Sequence, residues 1–406
     1  MKQPQQGKFT YTASAGLMPK EEMLEVAKSN QQLFIGLPAE CTLQENRVAL
    51  VPEAVARLVS NGHNVVVETN AGKGAHYEDR DFSEAGARIA YDREEVYKAD
   101  IIIKVDPPTL EEIGWMHSGQ TLVSALQLSV QPENYLKQLL KKKVTAIAVD
   151  FIRDREGGYP FVRSMSEIAG NTVILIAAEY LSNVNKGKGL MLGGVLGVPP
   201  TEVVVLGAGT VGEYATRAAL GLGSSVKVFD NSLHRLSRLQ NNIGSRLFTS
   251  TIHPDVLAEA LRTADVVIGA IRSKKGRAPV LVSEEMVKDM KYGSVIIDVC
   301  IDQGGCIETS EVTDHACPTF TKYGVVHYCV PNIASRVAQT ASMALSNIFS
   351  PMLLLMADGG GVESMMRTEE GFRNGIYTYN GAVTNPYLAK TFDLPFRDLN
   401  LLFTTF

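Results

Sequence analysis

The stretch VVVLGAGTVGEYATRAALGLGSSVKVFDNS, residues 203 to 232, sets Gly207, Gly209 and Gly212 in the spacing G-x-G-x-x-G. An apolar run precedes the glycines and a helix-forming run follows them, the setting in which this spacing has a mechanism. The first glycine permits a tight turn and the second lets backbone approach a pyrophosphate. The third lets the helix pack on the strand with its amino terminus facing the phosphates. Asp230 closes the next apolar run, VKVFD. A carboxylate there accepts hydrogen bonds from an adenosine ribose and repels a 2'-phosphate, so the predicted cofactor is NAD.

A second candidate is Lys104, which ends the apolar run IIIKV. A lysine buried on such a strand is costly without an anionic partner, whereas one that snorkels to solvent costs little; both readings are open from the residues alone. The five cysteines, Cys41, Cys300, Cys306, Cys317 and Cys329, contain no C-x-x-C pair, so no metal site is expected. Their odd number and irregular spacing fit a reducing cytoplasm.

Around these residues the chain alternates strand and helix. LFIGLPAE, NVVVE, IIIKV, QTLVSAL and VTAIAVDFI read as strands with helical stretches between them, which favours a parallel sheet covered on both faces. The loop NKGKGLMLGGVLGVPP interrupts the rhythm. It then restarts in TEVVVLGAG, SSVKVFD, ADVVIGAI, GSVIIDVC and GVVHYCV, five strands of a nucleotide-binding sheet. The helical pattern of SRVAQTASMALSNIFSPMLLLMAD is long enough to return to the first unit.

The expectation is an α/β protein with two doubly wound, Rossmann-like domains and a cleft between them. Residues 33–160 and 339–406 form a discontinuous substrate domain, residues 161–338 an NAD-binding domain, and residues 1–32 an N-terminal extension. The 406 residues are 45% hydrophobic and 20% charged with a net charge of -5, which gives no polycationic face for nucleic acid or anionic lipid. No apolar run reaches the roughly eighteen residues of a membrane span, and the start lacks the apolar segment of a secretory signal.

GLPAECTLQENRVALVPEAVARLVSNGHNVVVETNAGKG, taken with MSEIAGN, GGVLGVPP, VVVLGAGTVG, IIDVCIDQGGCIETS and VVHYCVPNIASRV, resembles the alanine dehydrogenase family and its relative, the NAD-binding alpha subunit of nicotinamide nucleotide transhydrogenase. The likeness runs collinearly over roughly residues 33 to 398, and IDVCIDQGGCIETS and MSEIAG favour the alanine dehydrogenase branch. The resemblance implies that Arg47 binds a substrate carboxylate and that Lys104 contacts substrate. It implies that Asp302 is the catalytic aspartate, and that Asn332 lies near the nicotinamide. Ser166, Asp230 and the backbone at Thr210 and Val211 match cofactor contacts. For Arg47 the bland alternative is a surface arginine, and for Ser166 a helix cap before EIAGN. Asp298 reads as structural, as does His327 in its strand.

One position departs from the family. Where alanine dehydrogenases carry a histidine, SALQLS has Gln127, whose amide can donate and accept hydrogen bonds but cannot shuttle a proton. Lys104, with a pKa lowered by burial, and Asp302 are then left to share the proton work while Gln127 orients substrate. The function implied is NAD-dependent reversible oxidative deamination of L-alanine. The alternatives are a soluble NAD(H)-binding transhydrogenase-type subunit and a related amino-acid or opine dehydrogenase. The resemblance also implies a homo-oligomer, a hexamer or a dimer.

Overall fold

The computed structural model describes residues 31–42, 44–127, 131, 134–273 and 277–403, so the extension before residue 31 lies outside the described residues. Its first sheet contains β1 (Phe34–Leu37), β2 (Asn64–Glu68), β3 (Arg88–Ala90), β4 (Ile101–Ile103), β5 (Thr121–Ser124) and β6 (Thr145–Ala148). These run parallel in the order 3-2-1-4-5-6. The second sheet contains β7 (Glu202–Leu206), β8 (Ser225–Phe229), β9 (Phe248–Ser250), β10 (Val266–Gly269), β11 (Val295–Asp298), β12 (Thr319–Lys322) and β13 (Val325–Tyr328). They repeat the plan in the order 9-8-7-10-11-13-12, with only β12 antiparallel to its neighbour. A hairpin from far along the chain, β14 (Ile376–Tyr379) and β15 (Ala382–Val383), extends the first sheet antiparallel to β6.

Side chains alternate between the two faces of each strand, and both faces are buried. In the first sheet Ile35, Val65, Ile101, Ile103 and Ile147 enter one core, while Val66, Ile102, Leu122 and Ala146 enter the other. The second sheet splits in the same way, Val203, Val205, Ile268 and Ile297 on one side and Val204, Leu206, Val267 and Ile296 on the other. This two-sided burial is why the strands read as unbroken apolar runs.

The helices Pro160–Leu181 and Ala338–Asp358 pass between the lobes. Phe161, Leu345, Phe349 and Leu353 pack in the first core, and Val173, Ile174 and Ile176 in the second. The segments Pro160–Leu181 and Ile333–Asp358 are, against the sequence expectation, long and apolar enough to cross a bilayer by length and composition, with mean hydropathies of 1.2 and 1.4. Their apolar character is used in the cores instead. Serines on the later helix hold the segment that carries Arg47. Ser342 Oγ accepts from Val48 N at 2.9 Å and Ser346 Oγ from Val51 N at 2.8 Å, while Ser335 Oγ, just before the helix, accepts from Asn46 N at 2.8 Å.

Candidate active site

In the second lobe the glycine turn leaves β7 and enters the helix Thr210–Gly221. Gly207 has φ +107°, and a Cβ there would lie 2.5 Å from Ala270 O. At Gly212 a Cβ would lie 1.8 Å from Gly207 O, so these two glycines are required by the protein itself. Gly209 is different: a Cβ there would meet nothing within 4 Å. The protein has no steric need of that glycine, but a pyrophosphate resting on the turn does.

Asp230 stands beside the turn with Oδ2 accepting from Ala208 N and Oδ1 from Ser232 N, each at 2.8 Å. Each oxygen keeps a further lone pair for a ribose hydroxyl. Arg235 Nη1 lies 3.6 Å from Oδ2. Ser166 lies well inside the helix Pro160–Leu181, so it is not a helix cap; Arg47 Nη1 meets the adjacent Met165 Sδ at 3.3 Å.

In the first lobe the strand order reverses between β1 and β4, which places a crevice at their carboxyl ends. Lys104 follows β4 directly and is fully buried, which disposes of the snorkelling alternative. Its Nζ donates to Glu112 Oε1 at 2.8 Å and lies 3.5 Å from Glu40 Oε2. Burial by itself would push the ammonium pKa down. The charges of Glu40 and Glu112 outweigh it and raise that pKa, so the expected lowered pKa is corrected: Lys104 is a held cation. Glu112 closes a capping box with Thr109 through its other oxygen, which accepts from Thr109 N at 2.7 Å.

Arg47 is also buried, 7% exposed, so it is not a surface arginine. Its Nε donates to Glu45 Oε1 at 2.7 Å and its Nη2 donates to Glu45 Oε2. Burial works to raise Glu45, but the Arg47 charge and hydrogen bonds prevail and hold that carboxyl below its ordinary range. The bidentate edge of the guanidinium is therefore committed to Glu45. Met165 Sδ, a weak acceptor, leaves Nη1 as the edge on offer to an incoming anion. Arg47 Nη2 also donates to Asn332 Oδ1 at 3.0 Å, and Asn332 Nδ2 donates to Glu45 Oε2 at 2.7 Å.

Gln127 adopts φ +42°, and its Nε2 donates to Asp106 Oδ1 at 2.6 Å. Thr42 Oγ1 donates to the other Asp106 oxygen at 2.8 Å. Burial, followed by the nearby Glu45, still raises the Asp106 pKa. Arg47 and Asn332 thus share Glu45, Gln127 is tied to Asp106, and Lys104 to Glu112 and Glu40. These are three clusters coupled by charge, Asp106 and Glu45 acting on Glu40 and Asp106 on Arg47. Those four acids went unread in the sequence. Only Glu112 had a local signal, the T-x-x-E spacing of its capping box.

Asp302 lies in the second lobe, in the short 3₁₀ turn Ile301–Gln303 after β11. Burial raises its pKa and the Arg272 charge opposes that; the same two influences act on Asp150, which follows β6 in the first lobe. Asp302 makes no hydrogen bond to Arg47 or Lys104 among the described residues. Its loop is clamped by Asp298, which accepts from Cys300 N, Cys306 N and Ser310 Oγ at 3.2, 3.0 and 2.8 Å. Asp298, Cys300 and Cys306 are the kind of buried triad that can hold a metal, but its carboxylate is already spent on that clamp. His327 is buried on β13 with Nε2 2.8 Å from Thr309 Oγ1, away from the three clusters.

A glycine turn on one Rossmann-order sheet and buried cation clusters at the switch point of another define a two-lobed dinucleotide-binding oxidoreductase. Residues 36–169 match the family described as alanine dehydrogenase/PNT, N-terminal domain, and residues 173–386 match its C-terminal domain. The chain belongs to the alanine dehydrogenase/PNT family. It is 41% identical to the alanine dehydrogenase of Halomonas elongata over 363 residues, 89% of this chain and 97% of that protein. A solved L-alanine dehydrogenase superposes with a TM-score of 0.83 at 37% identity, covering 88% of this chain and 99% of that one. A transhydrogenase from Sinorhizobium meliloti superposes with a TM-score of 0.75 at 26% identity, covering 87% and 99%.

Proposed function

We propose that this chain is an NAD-dependent amino-acid dehydrogenase that reversibly deaminates L-alanine to pyruvate and ammonia. The observation that carries the reading is the joining of buried Arg47 to Asn332, which brings a guanidinium of the first lobe to the loop leaving the dinucleotide-type lobe. Residues 33–160 with 339–406 act as the substrate lobe in this reading, and residues 161–338 as the cofactor lobe.

The chemistry follows from the groups present. Arg47 Nη1 and the Lys104 ammonium hold the substrate carboxylate, fixing Cα in one orientation. When bound, the dinucleotide supplies the hydride acceptor. The open face at Gly209, the helix amino terminus at Thr210 and Val211 and the Asp230 carboxylate are the residues that would hold it. Loss of hydride from Cα leaves an imine, and water adds to it with Asp302 as base. Collapse of the resulting carbinolamine releases ammonia. Gln127 steers substrate through its fixed hydrogen bond to Asp106 and carries no proton itself.

The test is NADH formation by the purified protein across a panel of small L-amino acids, with NAD and NADP in parallel. Turnover of alanine with NAD is the expected result. Binding of NADH without turnover of any amino acid would replace this reading with that of a transhydrogenase-type subunit. Light scattering of the same sample reads the homo-oligomer that the proposal includes.

A further inference from the structure

The three clusters around Arg47, Lys104 and Gln127 hold more carboxyl groups than cations, and among the described residues Glu45, Glu112 and Asp106 have partners at both oxygens. Glu45 is taken by Arg47, Glu112 by Lys104 and Thr109, and Asp106 by Thr42 and Gln127. Glu40 differs. Its Oε1 accepts from Val105 N at 2.6 Å, which ties the ends of β1 and β4 together. Its Oε2, on a side chain only 5% exposed, accepts no hydrogen bond among the described residues and faces Lys104 Nζ at 3.5 Å.

A base is needed, because the amino acid enters as an ammonium and must become an amine before hydride can leave Cα. Gln127 cannot take that proton. Lys104 cannot keep it, being already a held cation. We propose that Glu40 is a positioning residue that stores this proton by exchange through Lys104. Lys104 passes one N–H proton to Glu40 Oε2 and takes one from the substrate ammonium. An N–H bond on the substrate breaks, the N–H on Lys104 is restored and an O–H forms on Glu40. One proton moves and no electron does.

The surroundings suit the task. The groups that face Glu40 electrostatically are Lys104, Asp106, Glu45, Arg47, Cys41 and Tyr97. Burial, the strongest influence, pushes the Glu40 carboxyl up to about 8; Asp106 and Glu45 add to the rise and Lys104 opposes it. A carboxylate raised in this way accepts a proton more readily than an ordinary one. A proton carrier is most effective when its pKa lies near the pH of the reaction.

This inference rests on the dehydrogenase reading, and the test separates the two. Glu40→Gln keeps an oxygen for Val105 N while removing the titration, and Glu40→Asp restores a carboxylate at shorter reach. The C=O stretch of a protonated carboxyl group, followed by infrared difference spectroscopy of the substrate-free protein, should titrate with a midpoint near 8 and vanish in Glu40→Gln. In turnover, wild-type alanine oxidation should rise with pH through the same midpoint. Glu40→Gln should lose that limb and about a hundredfold to ten thousandfold in kcat, with KM for NAD unmoved and part of the rate regained in Glu40→Asp. A Glu40 band that titrates below about pH 6, or a Glu40→Gln enzyme with the wild-type pH profile, overturns the proposal. If wild type oxidises no amino acid, the dehydrogenase reading falls and the infrared titration alone decides whether Glu40 stores a proton.

Discussion

The Arg47 guanidinium donates to Asn332 Oδ1 at 3.0 Å while both side chains bond the same Glu45 carboxylate, so one triangle, buried at Arg47 and Glu45, spans the two lobes. Arg47→Lys removes the planar fork but keeps the charge. The expected outcome is a KM for alanine raised about tenfold to a hundredfold with a smaller change in kcat, read from steady-state kinetics. Arg47→Ala leaves Glu45 as an unpaired buried charge. Such a loss costs about 3–5 kcal/mol, visible in denaturant unfolding.

The three glycines of the turn should separate. Gly212→Ala drives a methyl group into Gly207 O and should lower the melting temperature sharply. Gly209→Ala meets only open space, so stability should hold within about 0.5 kcal/mol while NADH binding weakens. Thermal unfolding paired with NADH fluorescence titration reads both. If Gly209→Ala binds NADH like wild type, the turn is not the pyrophosphate site.

Restoring the histidine should not restore ordinary family chemistry. In Gln127→His the imidazole would stand against Asp106, whose charge favours the imidazolium, so no gain in kcat is expected at neutral pH. The left-handed backbone at this position tolerates histidine comparatively well. Gln127→His combined with Asp106→Asn frees the ring to act as a base, and its kcat should exceed that of the single variant. Equal rates for the two would discount Asp106.

His327 gives stability a pH dependence. Burial, with Val325 O opposing, lowers its pKa below 6.5. Because Val325 O can only accept, at 3.0 Å, Nδ1 carries the proton and Nε2 accepts from Thr309. For a histidine with a depressed folded pKa, the unfolded chain binds more protons just below pH 6.5. Its contribution is therefore full above that pH and is lost on acidification, at up to about 1.4 kcal/mol per pH unit. Melting temperatures measured from pH 8 to pH 5 should fall less steeply in His327→Asn than in wild type.

Much of the scaffold was legible because its strands are buried on both faces and carry long apolar runs. Two strands of the second sheet were not. β9 and β12 are short edge strands, FTS and TFTK, whose exposed faces dilute the pattern. The hairpin β14–β15 had a readable signal that went unused: Asn380-Gly381 between the apolar runs, both with positive φ. The serine contacts to residues 46 to 51 had no local signature, since their partners lie nearly 300 positions away.

The glycine turn, Asp230 and the alternating elements follow from neighbours along the chain, because turns, caps and periodicity are local properties of the backbone. The charge states of Lys104 and Arg47 do not. Lys104 reads as a lysine that burial would neutralise, and becomes a held cation only because Glu40 and Glu112 converge on it from separate elements. A pKa sums over charges near in space, whatever their distance in sequence. Tertiary structure alone brought those charges together, and with them a buried Glu40 oxygen that has no hydrogen-bond donor among the described residues.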